Sequence, residues 1–163
     1  IRSVLDEGNF SATLIGIVLG GLLILFSMWW AYFDWPMQHM LTSFRRVFLW
    51  GYGHYFIFAS AAAVGAGLAV EIDYATHHAE ISAVNAGAAV AIPVAVFLTV
   101  LWLFYGGIRA DHPPQRFLIP VAVILILTTP FWGEQTALWA GLIMVGLLAY
   151  KLRSRQSSQD HLP

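Results

Sequence analysis

The chain has 163 residues, of which 59% are apolar, 15% aromatic and only 10% charged. A soluble domain carries roughly 25% charged residues, so this composition excludes a water-covered globule and leaves a chain that folds in lipid. The net charge of -1, without any block of like charges, points to no nucleic-acid partner, and with no cysteine there is no disulfide framework, thiolate nucleophile or Cys-ligated zinc.

The chain begins at Ile1 with no basic leader segment, and its first apolar run has no small-residue cleavage site, so it reads as a piece of something longer. Asn9 or Ser11 is placed to cap the first helix. That helix is expected over 11–33, a run without charge that closes on Trp29, Trp30, Tyr32 and Phe33 before Asp34, as a spanning helix meets the headgroup region. Pro36 suits the first turn of a second element over 36–48. There Met37, Met40, Leu41, Phe44, Val47 and Phe48 repeat at helical spacing opposite Gln38, His39, Arg45 and Arg46. This is an amphipathic helix lying at the interface or, equally, a connector packed on the bundle.

Four further apolar runs follow, over 53–70, 84–108, 117–132 and 136–150. The last two are near the lower limit for crossing a bilayer. The polar turn Gly133-Glu134-Gln135 favours two spans over a re-entrant pair. The tail over 153–163 is polar, carries no apolar pattern, and is expected to be disordered. The fold class is therefore all-α: a polytopic transmembrane helical bundle of about five spanning helices plus a cytoplasmic interfacial helix.

The charges divide the joints the same way. Arg45, Arg46, Arg109, Arg116, Lys151, Arg153 and Arg155 fall on one side, and only Arg2 on the other. Asp6, Glu7, Glu71, Asp73, Glu80 and Glu134 collect on the second side. The positive-inside bias puts the basic side in the cytoplasm, with the amino end outside and the carboxyl end inside.

Helices in lipid associate through small residues that let backbones approach. Gly16 and Gly20 form such a pair in the first helix, and Ala59, Ala63 and Gly67 a stripe in the second. Pro93 and Pro120 each free a carbonyl that needs another partner.

Few polar groups fall within or beside the apolar runs. Asp34 and His54 stand at similar depth at the cytoplasmic side, where a carboxylate and an imidazole can pair and relay protons. The alternative is structural: Asp34 caps the interfacial helix and His54 bonds a backbone carbonyl. On the external side Glu71, Asp73, His77, His78, Glu80 and Glu134 form a polar cluster. His77 and Glu80 have the spacing of helical metal ligands, but no second ligand pair completes a site, so no metal and no cofactor is expected. There is no His-Glu-x-x-His pair, no Gly-x-Ser-x-Gly elbow and no Gly-rich phosphate loop, and the single lysine, Lys151, lies beyond the last apolar run. An enzyme is not expected.

The segment Trp29-Trp30-Ala31-Tyr32-Phe33-Asp34 resembles the tryptophan-rich WWxYFD motif of the bacterial low temperature requirement protein A (LtrA) family. Gly51-Tyr52-Gly53-His54-Tyr55-Phe56-Ile57 is similar to that family's histidine-bearing helix start, followed by the small-residue run from Ala59 to Gly67 and the acidic Glu71. The likeness covers roughly residues 11–109 by motif and the last two helices by layout. It implies a multi-pass bacterial inner-membrane protein, with Asp34 and His54 on the family's polar positions. It further implies that this chain is the carboxyl half, its partners being the lipid bilayer and an earlier set of helices ending in a Gly-Glu motif. Two functions are compatible with this: a secondary transporter or ion-permeation protein, and a non-transporting structural or interaction module in cold or stress adaptation.

Overall fold

The computed structural model describes residues 2–34, 44–104 and 113–159. These form α1 (Arg2–Phe33), α2 (Phe44–Ala75), α3 (Ala83–Phe104), α4 (Pro113–Thr128) and α5 (Thr136–Gln159), with a short 3-10 turn (Thr129–Phe131) after α4. No strand occurs among the described residues. Four stretches are long and apolar enough to cross a membrane: Ala12–Phe33, Trp50–Ala75, Ala83–Phe104 and Thr136–Ser154. The fifth, Phe117–Phe131, is shorter.

Two boundaries differ from expectation. Residues 44–48, read as the end of a separate interfacial helix, are the first turn of α2. No proline interrupts 44–75, and Gly53 is placed so that its bare Cα accepts the ring of Phe104 from α3. The rest of the expected interfacial helix, before Phe44, lies outside the described residues, as does the end of the third run beyond Phe104. At the other end, α5 continues through Gln159, so the polar segment after 153 begins as helix. Straight-chain Lys151, Leu152, Arg153 and Arg155 are good helix formers and extend the preceding turns.

The ends of the other elements follow from local chemistry. α2 stops in a Schellman motif: His78 N–H donates to Asp73 O (2.9 Å) and His77 N–H to Tyr74 O (3.0 Å). The pivot, His77, takes a positive φ of 58°, a position that glycine usually fills. Ser82 caps α3, its Oγ accepting from Asn85 N–H at 3.2 Å. Pro113 and Pro114 open α4, where missing N–H groups cost nothing. Gly133, at φ 121°, turns the chain from the 3-10 segment into α5.

Close approaches set the register. Gly16 faces Gln135, Gly20 lies on the Ala137–Leu138 backbone, and Gly141 meets Gly20 O. α1 and α5 therefore run parallel, joined through Gly16 and Gly20 on one helix and Ala137 and Gly141 on the other. α2 and α3 run antiparallel, with Gly67 on the Ala89 carbonyl and Gly53 on Phe104. Pro93 leaves that same carbonyl, four residues earlier, without its helical donor. The Cα of Gly67 covers it, which is where a Cα–H···O contact is useful inside a membrane.

α3 is the central helix, with half of its span buried. Val90, Val94, Phe97, Leu98 and Leu101 meet Ile17, Ile24 and Met28 of α1, Ile57 and Val64 of α2, Ile126 of α4 and Met144 of α5 in one core. Large apolar side chains such as Phe26, Phe58, Phe117 and Ile124 point outward, as they do where the surround is lipid. The stripe Ala59-Ala63-Gly67 does not stay on one face. Two four-residue steps rotate it by about 80°, so Gly67 is buried, Ala63 half-buried and Ala59 exposed. The buried face of α2 is instead Ser60, Val64, Gly67 and Glu71.

Candidate functional site: two polar layers in the bundle

The first layer joins α1, α2 and α5 near the Asp34 end. His54 Nδ1 lies 2.6 Å from Trp50 O, and its Nε2 lies 2.9 Å from the Tyr32 hydroxyl. A carbonyl can only accept, so Nδ1 carries a proton, and in the neutral ring Nε2 accepts from Tyr32. Four aromatic rings lie near the imidazole, Trp50 with its centroid at 4.2 Å and Tyr32, Phe58 and Phe104 at 5.9, 6.1 and 6.1 Å. Asp34 does not pair with His54. Its Oδ2 sits 2.8 Å from Lys151 Nζ, with the Asp34 side chain 11% and the Lys151 side chain 24% exposed. The reason is the parallel packing of α1 on α5, which brings the continuation of α5 beside Asp34, the residue that follows α1.

The second layer surrounds Glu71, and it separates this residue from the polar cluster it was grouped with. Glu71 is 2% exposed. Both of its carboxylate oxygens accept from Ala137 N–H, each at 3.3 Å. Ala137 stands at the start of α5, where backbone N–H groups have no partner within the helix and the macrodipole is positive. Glu71 thus caps α5 from another helix. Thr129 and Thr136 are buried around it, and Gly87 of α3 packs directly on Thr136 Oγ1 and Pro130. Glu71 lies four residues before the end of the α2 span at Ala75, and Ala137 is the second residue of the α5 span. Glu71 is therefore inside the membrane-spanning part of the bundle.

The remaining members of that cluster stay at the surface. Asp73, His77, His78, Glu80 and Glu134 are exposed. Glu134 accepts from the Tyr74 hydroxyl at 3.3 Å, and His78 Nδ1 lies 2.8 Å from Thr76 Oγ1. Residues 77–80 are not helical, so the spacing of His77 and Glu80 no longer sets two ligands on one helix face. No group of three or more His, Asp or Glu able to hold a metal occurs among the described residues. Two apolar grooves, one along Leu22, Leu25, Phe26 and Trp29 and one between α3 and α4 at Thr99, Trp102 and Pro120, hold no titratable side chain and open away from both layers.

A bundle with these helices and with polar groups confined to two layers fits many membrane proteins, and sequence comparison narrows the choice. The family model described as bacterial low temperature requirement A protein (LtrA) matches residues 1–151. The chain belongs to the LtrA family. No curated protein and no solved structure matches it. LtrA membership and the four long apolar helices together make it an integral, multi-pass membrane protein. The LtrA-like motif residues Tyr32, Asp34 and His54 all contribute to the first layer, and Glu71 makes the second.

Lys151 and Ala137 are among the residues of these layers that the sequence does not single out. Lys151 was passed over because it follows the last apolar run, although its place on a continuing helix was open to inspection. Ala137 was not seen because its contribution is a backbone N–H, which leaves no trace in residue type.

Proposed function

We propose that this LtrA-family protein is a non-enzymatic, proton-linked transporter or ion-permeation protein, with Asp34 and His54 forming a gate on the cytoplasmic side. The reading is supported above all by the layer in which Tyr32, His54, Asp34 and Lys151 tie α1, α2 and α5 together. Ionisable groups placed in this way in a membrane bundle mark pathways more often than scaffolds. The basic residues of the joints and tail favour placing this end in the cytoplasm, with the amino end outside.

The chemistry of the gate is local. Neutral His54 uses both ring nitrogens, donating to Trp50 O and accepting from Tyr32. A proton added at Nε2 makes that nitrogen a donor, and the Tyr32 hydroxyl rotates to accept. The new positive charge then competes with Lys151 for Asp34, loosening the tie between α1 and α5. The partners in this reading are the lipid bilayer and the amino-terminal helices of the same protein, against which a substrate path would form.

Full-length protein in liposomes loaded with a pH-sensitive dye tests the reading under an imposed membrane potential. Wild type is expected to move protons or a proton-coupled solute. Asp34→Asn and His54→Gln are expected to abolish the flux while the protein still folds and melts cooperatively. A folded wild type without flux for any ion or small solute, or variants that lose folding instead of flux, would overturn it in favour of a structural module in cold adaptation.

A further inference from the structure

We propose that Glu71 is a proton-binding site inside the bundle, whose protonation state sets how firmly the amino end of α5 is held. An ionised carboxylate has about four acceptor positions. Here both oxygens share the N–H of Ala137, with that of Thr136 beside it. The two 3.3 Å separations are long beside the roughly 2.8 Å of a charge-assisted bond. The carboxylate is therefore enclosed but loosely satisfied, and one oxygen has room in its bonding to carry a proton.

The surroundings offer no competing cation. The described part of α1 that packs here is Gly16, Ile17, Gly20 and Gly21, with no titratable group. α3 contains none along its whole length, and α4 none between Phe117 and Thr128. On α5 the basic residues lie at the opposite end, Lys151 being about 21 Å of helix rise from Ala137. On α2 itself the neighbours are Asp73 and Tyr74, and the turn before α5 adds Glu134, which Tyr74 engages. Glu134 and the Tyr74 hydroxyl thus lie about one helical turn beyond Glu71, with Asp73 on the exposed face of α2, and no Lys, Arg or His shares this level among the described residues.

The exchange balances simply. Hydronium from the aqueous side of Tyr74 and Glu134 gives its proton to one Glu71 oxygen and leaves as water. The protonated carboxyl no longer supplies the negative charge that meets the α5 dipole, and the cap on the first turn of α5 weakens to a neutral acceptor. The reverse step restores both. The inference stands apart from the Asp34–His54 gate, since a Glu71 that never took a proton would leave that gate intact.

The test uses full-length protein in liposomes without any flux measurement. A hydrophobic carbodiimide, which reacts with protonated carboxyls, is applied across a pH series, and modification is read by peptide mass spectrometry. Labelling at Glu71 is expected to rise about tenfold per pH unit on acidification until it saturates. Amide exchange of the peptide containing Ala137 is expected to quicken over the same range, and Glu71→Gln to remove both responses. Glu71→Asp, which withdraws the carboxyl from Ala137 by one methylene, is expected to move the midpoint, and it serves if Glu71→Gln does not fold. Folded protein with no labelling at any pH, Ala137 exchange that ignores pH, or an unmoved Glu71→Asp midpoint would overturn the proposal. So would labelling suppressed by sodium at constant pH, which would make this a metal-cation site instead.

Discussion

Asp34 and Glu71 lie toward opposite ends of the same bundle, and α5 engages both, by different means. Asp34 meets a side chain, Lys151, near the edge of the span, where both partners retain some exposure. Glu71 meets the backbone of the first turn of α5 and is almost wholly enclosed. The first contact is a pair of side-chain charges, each on a chain whose rotamers can change. The second is a charge against a fixed dipole, which can change only if the helix moves or the charge disappears. The same helix therefore offers an adjustable tie at one end and a two-position tie at the other.

That contrast can be broken most severely where the backbones are closest. Gly20→Val puts a branched side chain into the Ala137–Leu138 backbone beneath Glu71. It is expected to cost about 3 kcal/mol and to lower the melting midpoint in detergent sharply. Gly65→Ala on the open side of α2 should be neutral or slightly stabilising, because nothing lies within 4 Å of the added methyl. Equal losses at the two sites would mean that α1 does not pack on α5 as described.

The Asp34 end should respond more mildly. Lys151→Met is expected to cost about 1 kcal/mol, because the pair is partly exposed. Asp34→Asn in the same background should recover much of that loss, and a double-mutant cycle read by thermal melts measures the coupling. A cycle without coupling would leave Glu71, among the described residues, as the carboxylate that α5 holds. The smallest expected effect concerns the surface: His77→Gly relieves a left-handed backbone at the end of α2 and should add about 0.5 kcal/mol. A loss there would show that the His77 side chain has a role beyond ending the helix.

Much of the architecture was legible because apolar length and the absence of charge act locally. The runs beginning near Ser11, Gly53, Val84, Phe117 and Thr136 each became a helix for that reason. The layers were harder to read because they depend on which helices are neighbours. Asp34 found Lys151, 117 positions away, only because α1 lies parallel to α5. Glu71 looked like one of several wet residues near a helix end. The signal that sets it apart is phase: it falls four residues after Gly67, on the buried face with Ser60 and Val64, whereas Asp73 does not. One more four-residue step along the stripe Ala59-Ala63-Gly67 reaches Glu71, and only this Gly67–Glu71 end of the stripe lies on the buried face toward α3.

The pairing of α1 with α5 also has a consequence for biosynthesis. Helices enter the bilayer one after another and associate afterwards. α2 and α3 can join as soon as α3 has been inserted, but the glycine face of α1 has to wait until α5 leaves the ribosome. Until then Gly16 and Gly20 present bare backbone to lipid, and Glu71 has no helix end to hold it. A chain stalled after α4 is thus marked as unfinished at the two places where the finished protein is most tightly closed, which gives a membrane protease a physical basis for telling the two apart.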